Sequence, residues 1–232
     1  MCFSPLLTWM TASAGITAAI AVKLANKPAN YSIPLVYFAS MEILQGLMYT
    51  QVNHPHSLFT SILIYLAYLN VSFQPLIINY WLGAFISKKQ ISTYYFTLKL
   101  SFIGGLLLLS RIVLFENTPL CSSYETLCSP TPIIFQGVRH IAWSLPLTGA
   151  GWNYVNPSIA LHMFLFFIPG LLLGFYRLMI TFFILGPYLA TILSPLPSEQ
   201  SSIWCVIGLW LLIITVLSCW HKPPRFLIPK QN

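Results

Sequence analysis

Long apolar runs, separated by short polar or proline-bearing breaks, fill the chain almost from end to end. Where water is absent a backbone must satisfy its own hydrogen bonds, so about 20 mostly apolar residues read as one helix crossing about 30 Å of hydrocarbon. Seven stretches meet this description, at residues 6–25, 33–52, 58–86, 94–115, 158–174, 178–193 and 203–220. The fifth and sixth are short and separated only by Phe175, Tyr176 and Arg177, a spacing that suits a tight helical hairpin. The pattern predicts an all-α fold: a polytopic membrane helix bundle of about seven transmembrane helices, one transmembrane domain over residues 1–232.

Composition agrees. Of 232 residues 57% are hydrophobic and 6% charged, against about 25% charged in soluble domains, too few to build a water-facing exterior. The 11 Lys and Arg outnumber 4 acidic residues, all Glu, for a formal charge of +7. These bases flank apolar runs and form no stripe with interleaved aromatics. They read as topology signals and contacts with anionic membrane lipids, with no nucleic-acid partner. No Gly-rich nucleotide motif occurs, which argues against an ATP-driven mechanism.

Cytoplasmic loops are enriched in Lys and Arg. With the N-terminus outside and the C-terminus cytoplasmic, the inner side holds Lys23, Lys27, Lys88, Lys89, Arg177, Lys222, Arg225 and Lys230. The outer side then holds Arg139 with Glu116, Glu125 and Glu199, while Lys99 and Arg111 fall inside the fourth helix. An even helix count would not separate the bases this cleanly. Residues 116–157 become an extracytoplasmic loop and residues 221–232 a basic cytoplasmic tail. The first helix lacks a basic leader and a small-residue cleavage site, so it is expected to remain as an anchor.

On this topology Cys121 and Cys128 lie in an oxidising exterior, close enough in sequence to predict a disulfide. A second conceivable bridge joins Cys2 to Cys205. Residues 132–147 form an apolar run holding Gln136, Arg139 and His140, too polar and proline-bounded to span. They predict an interfacial or re-entrant helix, with Trp143, Trp152 and Tyr154 at headgroup depth.

Polar side chains at bilayer depth cost several kcal/mol unless paired and normally face the bundle interior. Glu42 is the acidic residue of the second helix, with Gln45 and Tyr49 along the same face. The third helix carries Asn70, Gln74 and Asn79 at similar depth by residue count, and Pro75 frees the carbonyl of Val71. These groups predict a small-ligand, ion or proton site, or else an interhelical hydrogen-bond cluster. Near the outer end of the fourth helix, Arg111 either snorkels or fixes an anionic group above Glu42. On the fifth helix, His162 stands one turn after Ser158 and is placed to line a cavity mouth or act as a general base. His54 and His56 match no specific metal signature, so no metal site and no particular cofactor is identified.

Several short motifs carry a resemblance: Met1-Cys2-Phe3-Ser4, Glu42-x-x-Gln45, Phe73-Gln74-Pro75 followed by Asn79, Gly186-Pro187, and Ile203-Trp204-Cys205. In these the chain resembles an uncharacterised family of small seven-helix membrane proteins, mainly bacterial. The resemblance implies the helix count and an inner-membrane location, and directs attention to Glu42, Gln45 and Gln74. Three functions stay open: binding or transport of a small ligand, ion or proton around Glu42; a membrane-embedded enzyme acting on a lipid-soluble substrate; and a structural or assembly protein.

Overall fold

The structure, a computed structural model, describes residues 4–54, 56–112, 127–147 and 157–218. Among these, seven helices run α1 Pro5–Leu24, α2 Ala29–Tyr49, α3 Leu58–Leu82, α4 Ile91–Leu109, α5 Pro157–Leu172, α6 Tyr176–Leu193 and α7 Pro197–Ser218. Their ends are written into local sequence. The Ser4 hydroxyl accepts from the Leu7 amide at 3.2 Å, with Pro5 in the first turn, and Ser57 does the same for Thr60 at 3.0 Å. Both satisfy an otherwise orphaned donor. Gly174, at φ 86°, ends α5. The amides of Gly174 and Phe175 donate back to Leu171 and Gly170, a left-handed cap that favours glycine and turns the chain directly into α6.

Successive helices alternate in direction. Asn30 donates to the Tyr80 carbonyl at 2.8 Å, and Gln90 to the Leu173 carbonyl at 2.8 Å. The start of α2, the α3–α4 junction and the α5–α6 turn thus share one end of the bundle, the basic end, with Lys23, Lys27, Lys88, Lys89 and Arg177 on the segments that meet there.

Five helical segments, α1, α3, α4 with its leading turn, α6 and α7, are long and apolar enough to cross a membrane. In α5 the apolar segment is shorter, while α2 is long but carries Asn30, Ser32, Ser40, Glu42 and Gln45. It can be this polar because α1, α3 and α7 enclose it. The exterior is lined by large apolar side chains such as Leu6, Ile20, Phe96, Ile103, Ile180 and Ile192, whereas Glu42, Gln45, Gln74 and Asn79 are buried. This inversion of the soluble pattern fits membrane association.

The segment expected to be an interfacial helix is a β-hairpin. Strands β1 Ile133–Gln136 and β2 Ile141–Ser144 pair antiparallel, with Ile133 opposite Ser144 and Gln136 opposite Ile141. Branched and aromatic residues on both sides of a glycine favour this. All four residues of β2 are buried, so the period-two alternation that marks a half-exposed strand is missing. The hairpin fills the end of the bundle opposite the basic end, against α2, α3 and α7. Trp143, expected at headgroup depth, is fully buried there among Met48, Ile64, Tyr68, Ile134 and Leu145; Trp152 and Tyr154 lie outside the described residues.

Two further expectations change. The fourth helix ends at Leu109, so Arg111 lies beyond it, beside the bridge between Ile112 and Leu147. Cys205 is a free, buried cysteine, which removes the Cys2–Cys205 bridge. Cys121 lies outside the described residues, and with it the predicted pairing to Cys128.

Candidate functional site

Three helices bring the predicted polar residues together in part. On α2 and α3, Tyr37 donates its hydroxyl to the Asn70 carbonyl at 2.7 Å, while the Asn70 amide donates to Ser40 Oγ at 3.0 Å. This reciprocal clasp makes Asn70 an interhelical fastener. Gln74 donates to Cys205 Sγ at 3.3 Å, joining α3 to α7. The Glu42 carboxyl lies within electrostatic reach of that same thiol. A Glu42–Cys205–Gln74 cluster therefore spans α2, α7 and α3.

Asn79 belongs elsewhere. Its amide donates to Ser101 Oγ at 2.8 Å and to the Leu165 carbonyl at 3.0 Å, fastening α3 to α4 and α5. Five residues separate Asn79 from Gln74, which rotates it about 140° around the helix. Similar depth did not mean a similar face.

Glu42 and Gln45 are fully buried, and none of their four side-chain polar atoms has a hydrogen-bond partner among the described residues. The buried hydroxyl of Ser202 is likewise unpartnered. Because α2 and α7 are antiparallel neighbours, one turn from the Glu42–Cys205 level toward the hairpin reaches Gln45 on α2 and Ser202 on α7. Another turn reaches Tyr49 and Glu199.

At that level the hairpin tip closes around Glu199. The carboxylate accepts from the amide of Val138 at 3.2 Å and, more closely, from the amides of Arg139 and His140 and the hydroxyl of Ser194. Glu199 sits in the first turn of α7 after Pro197, where the helix dipole favours an anion. Gly137 permits the wrap, since a Cβ there would stand 2.5 Å from the His140 carbonyl oxygen and 2.6 Å from the carboxylate. Glu199, expected as an exterior charge, is fully buried.

His140 is held on its other side by Tyr49, whose hydroxyl shares a 2.6 Å hydrogen bond with Nδ1. Burial pushes the imidazole down to about 3, well below its ordinary 6.5. Between those values the unfolded chain binds the proton more readily. Stability is therefore complete above about pH 6.5 and drains as the pH falls toward 3, by up to about 1.4 kcal/mol per pH unit. Melting curves from pH 7 to 4 should show this loss, and His140→Gln should flatten it. Identical profiles for the two proteins would refute the role.

Beside the Gln74–Cys205 pair, a cavity of about 250 Å³ lies among α3, α5, α6 and α7. His162 lines it, 6% exposed, with both ring nitrogens unpartnered among the described residues. Trp204 meets the imidazole edge-on at 5.2 Å. The lining continues to Ile159, Phe183 and Tyr188, exposed on the outer flank, so the cavity opens sideways. A π-helical turn over Ile184–Tyr188, containing Pro187, forms part of that wall. Ser158, the suggested partner of His162, has no described side chain. Among the described residues no group of three or more His, Cys, Asp or Glu is placed to hold a metal ion.

Residues 7–224 match the model of a family described as Family of unknown function (DUF5765). The chain belongs to that family. No curated protein and no solved structure matches it. Every group of the cluster, the hairpin latch and the cavity in this DUF5765 protein lies within the matched residues. Sequence reasoning reached Glu42, Gln45, Gln74 and His162. It missed Cys205, Ser202 and the role of Glu199, although Pro197 followed two residues later by an acid is a recognisable helix start.

Proposed function

We propose that this protein is a multi-pass membrane protein that binds and moves a small ligand, ion or proton through the polar site around Glu42. The observation that carries the reading is the buried Glu42–Gln45 pair, whose four side-chain polar atoms have no partner among the described residues, within electrostatic reach of Cys205 on α7. A carboxyl kept in such a place contributes nothing as a fastener, and burial without hydrogen bonds is costly. By residue count, Gln45 on α2 and Ser202 on α7 lie one turn nearer the hairpin than Glu42 and Cys205, with Tyr49 a further turn on, levels that a proton or small ion would pass on its way to Glu42. Native mass spectrometry of purified protein, repeated with Glu42→Gln, tests this. Loss of one bound species from a folded variant supports it, and unchanged ligand content together with unchanged transport overturns it.

The unpartnered imidazole of His162 favours a second reading, an enzyme acting on a lipid-soluble substrate with His162 as general base. Loss of turnover in His162→Ala, with transport intact, would select it.

The proposed orientation places the basic end in the cytoplasm and the hairpin outside, with the bases contacting anionic lipid headgroups, in a bacterial inner membrane by the resemblance above. A tag beside Lys88 should then be protected in intact cells, and one beside Cys121 accessible. Non-reducing peptide mapping should find Cys121 joined to Cys128. Access to the Cys121 tag only after permeabilisation would reverse the orientation, and two alkylated thiols would remove the bridge.

A further inference from the structure

We infer that the side-opening cavity at His162 is a binding site for a neutral, hydroxyl-bearing, lipid-soluble molecule, separate from the Glu42 site. Its exit lies between the apolar faces of α5, α6 and α7, where Ile159, Phe183 and Tyr188 are exposed. In a bilayer such an opening faces lipid, so a ligand arrives through the membrane and leaves its hydrocarbon part toward the flank. An apolar cavity of about 150 Å³ accepts benzene. The 250 Å³ here takes a ring with a short chain, or the head and first carbons of a longer one.

The polar groups at the inner end define the head. His162 is buried, and neither ring nitrogen has a partner among the described residues; one is a donor and one an acceptor while the ring is neutral. Gln74 commits its Nε2 to Cys205 and leaves its Oε1 as an acceptor. Ser72 and Ser201 are engaged with the Tyr68 and Ser198 carbonyls. Both side chains line the one cavity, where a hydroxyl head finds an imidazole N–H to accept from and the Gln74 carbonyl to donate to. None of the described lining residues is Lys, Arg, Asp or Glu, so phosphate, carboxylate and ammonium heads would be desolvated without a counter-charge from them. Glu42 does not line the cavity.

The test uses a long-chain alcohol carrying a diazirine and an alkyne, and a carboxylate of equal chain length with the same tags, applied to full-length protein in phosphatidylcholine nanodiscs. The alcohol should label peptides carrying Ile159, Phe183 or Tyr188 saturably, with untagged alcohol competing, and the carboxylate should label only at background. His162→Phe should cut saturable labelling about tenfold. His162→Gln, which restores a donor and an acceptor, should keep most of it, separating head recognition from loss of fold. Folded Glu42→Gln should label within about twofold of the parent, since one hydrogen bond is worth more than that. Equal labelling by both probes, unchanged labelling of His162→Phe, or loss of labelling in folded Glu42→Gln would each overturn the assignment.

Discussion

Glu42→Leu is expected to melt no lower than the parent protein, and higher by an amount corresponding to about 1 to 3 kcal/mol, while abolishing function. The first half follows from what the carboxyl does not do. Asn70 has Ser40 and Tyr37, Gln74 has Cys205, and Asn79 has Ser101 and Leu165. No fastener among these depends on Glu42, so its removal orphans none of them. Leucine instead removes a buried polar group that has no hydrogen-bond partner among the described residues, at the scale measured for such groups in proteins. Glu42→Gln should leave melting nearly unchanged, because size and polarity are kept, and should also lose the ligand or coupled transport. Stability and function then oppose each other at one residue, a recurring cost of functional sites. Thermal unfolding in detergent beside transport in liposomes decides it. A strongly destabilised Glu42→Leu protein with normal transport would show that the carboxyl is structural.

The opposite result is expected at Glu199. Replacing it with alanine removes the acceptor for three backbone amides and the Ser194 hydroxyl. His140 and Ser194 are buried with the carboxylate, while Val138 is exposed and Arg139 half-buried, so water replaces only part of what is lost. Hydrogen bonds to a charged group contribute about 1.5 to 3 kcal/mol each, and orphaned buried donors cost more than a neutral pair gains. Since such terms do not add fully, a loss of about 3 to 5 kcal/mol is expected. Amide exchange should rise first in residues 133–144. Gln should recover part of the loss, because its carbonyl accepts two bonds and its amide none. Wild-type exchange across the hairpin in Glu199→Ala would refute the latch.

The helices were legible because each follows a long apolar run, and the seven helices of the described residues correspond to the seven runs. Residues 132–147 were misread because a strand buried on both faces loses its alternation, and β2 is such a strand. Counting residues from a helix end gives depth but not azimuth: Gln74 turns to Cys205 on α7, while Asn79 turns to α4 and α5. Cys205 reaches Gln74 from 131 residues away, and nothing local in the sequence announces that meeting. Glu199 is expected from sequence only as a charge of the outer side, since nothing local reveals that three amides from a distant turn surround it.

The latch also orders events in time. The strands of the hairpin are near neighbours in the chain and can pair as soon as both exist, but the carboxylate that closes their turn arrives 59 residues after His140. Chains are made N-terminus first, at about 5–20 residues per second. For several seconds the turn therefore waits with its amides unanswered, through the synthesis of α5 and α6, until the start of α7 emerges. The last helix is thus the one that completes the opposite end of the molecule, and a chain stopped short of residue 199 would carry six helices and an unfinished hairpin. Quality-control proteases that recognise loose segments would have a clear mark by which to tell an incomplete copy from a finished one.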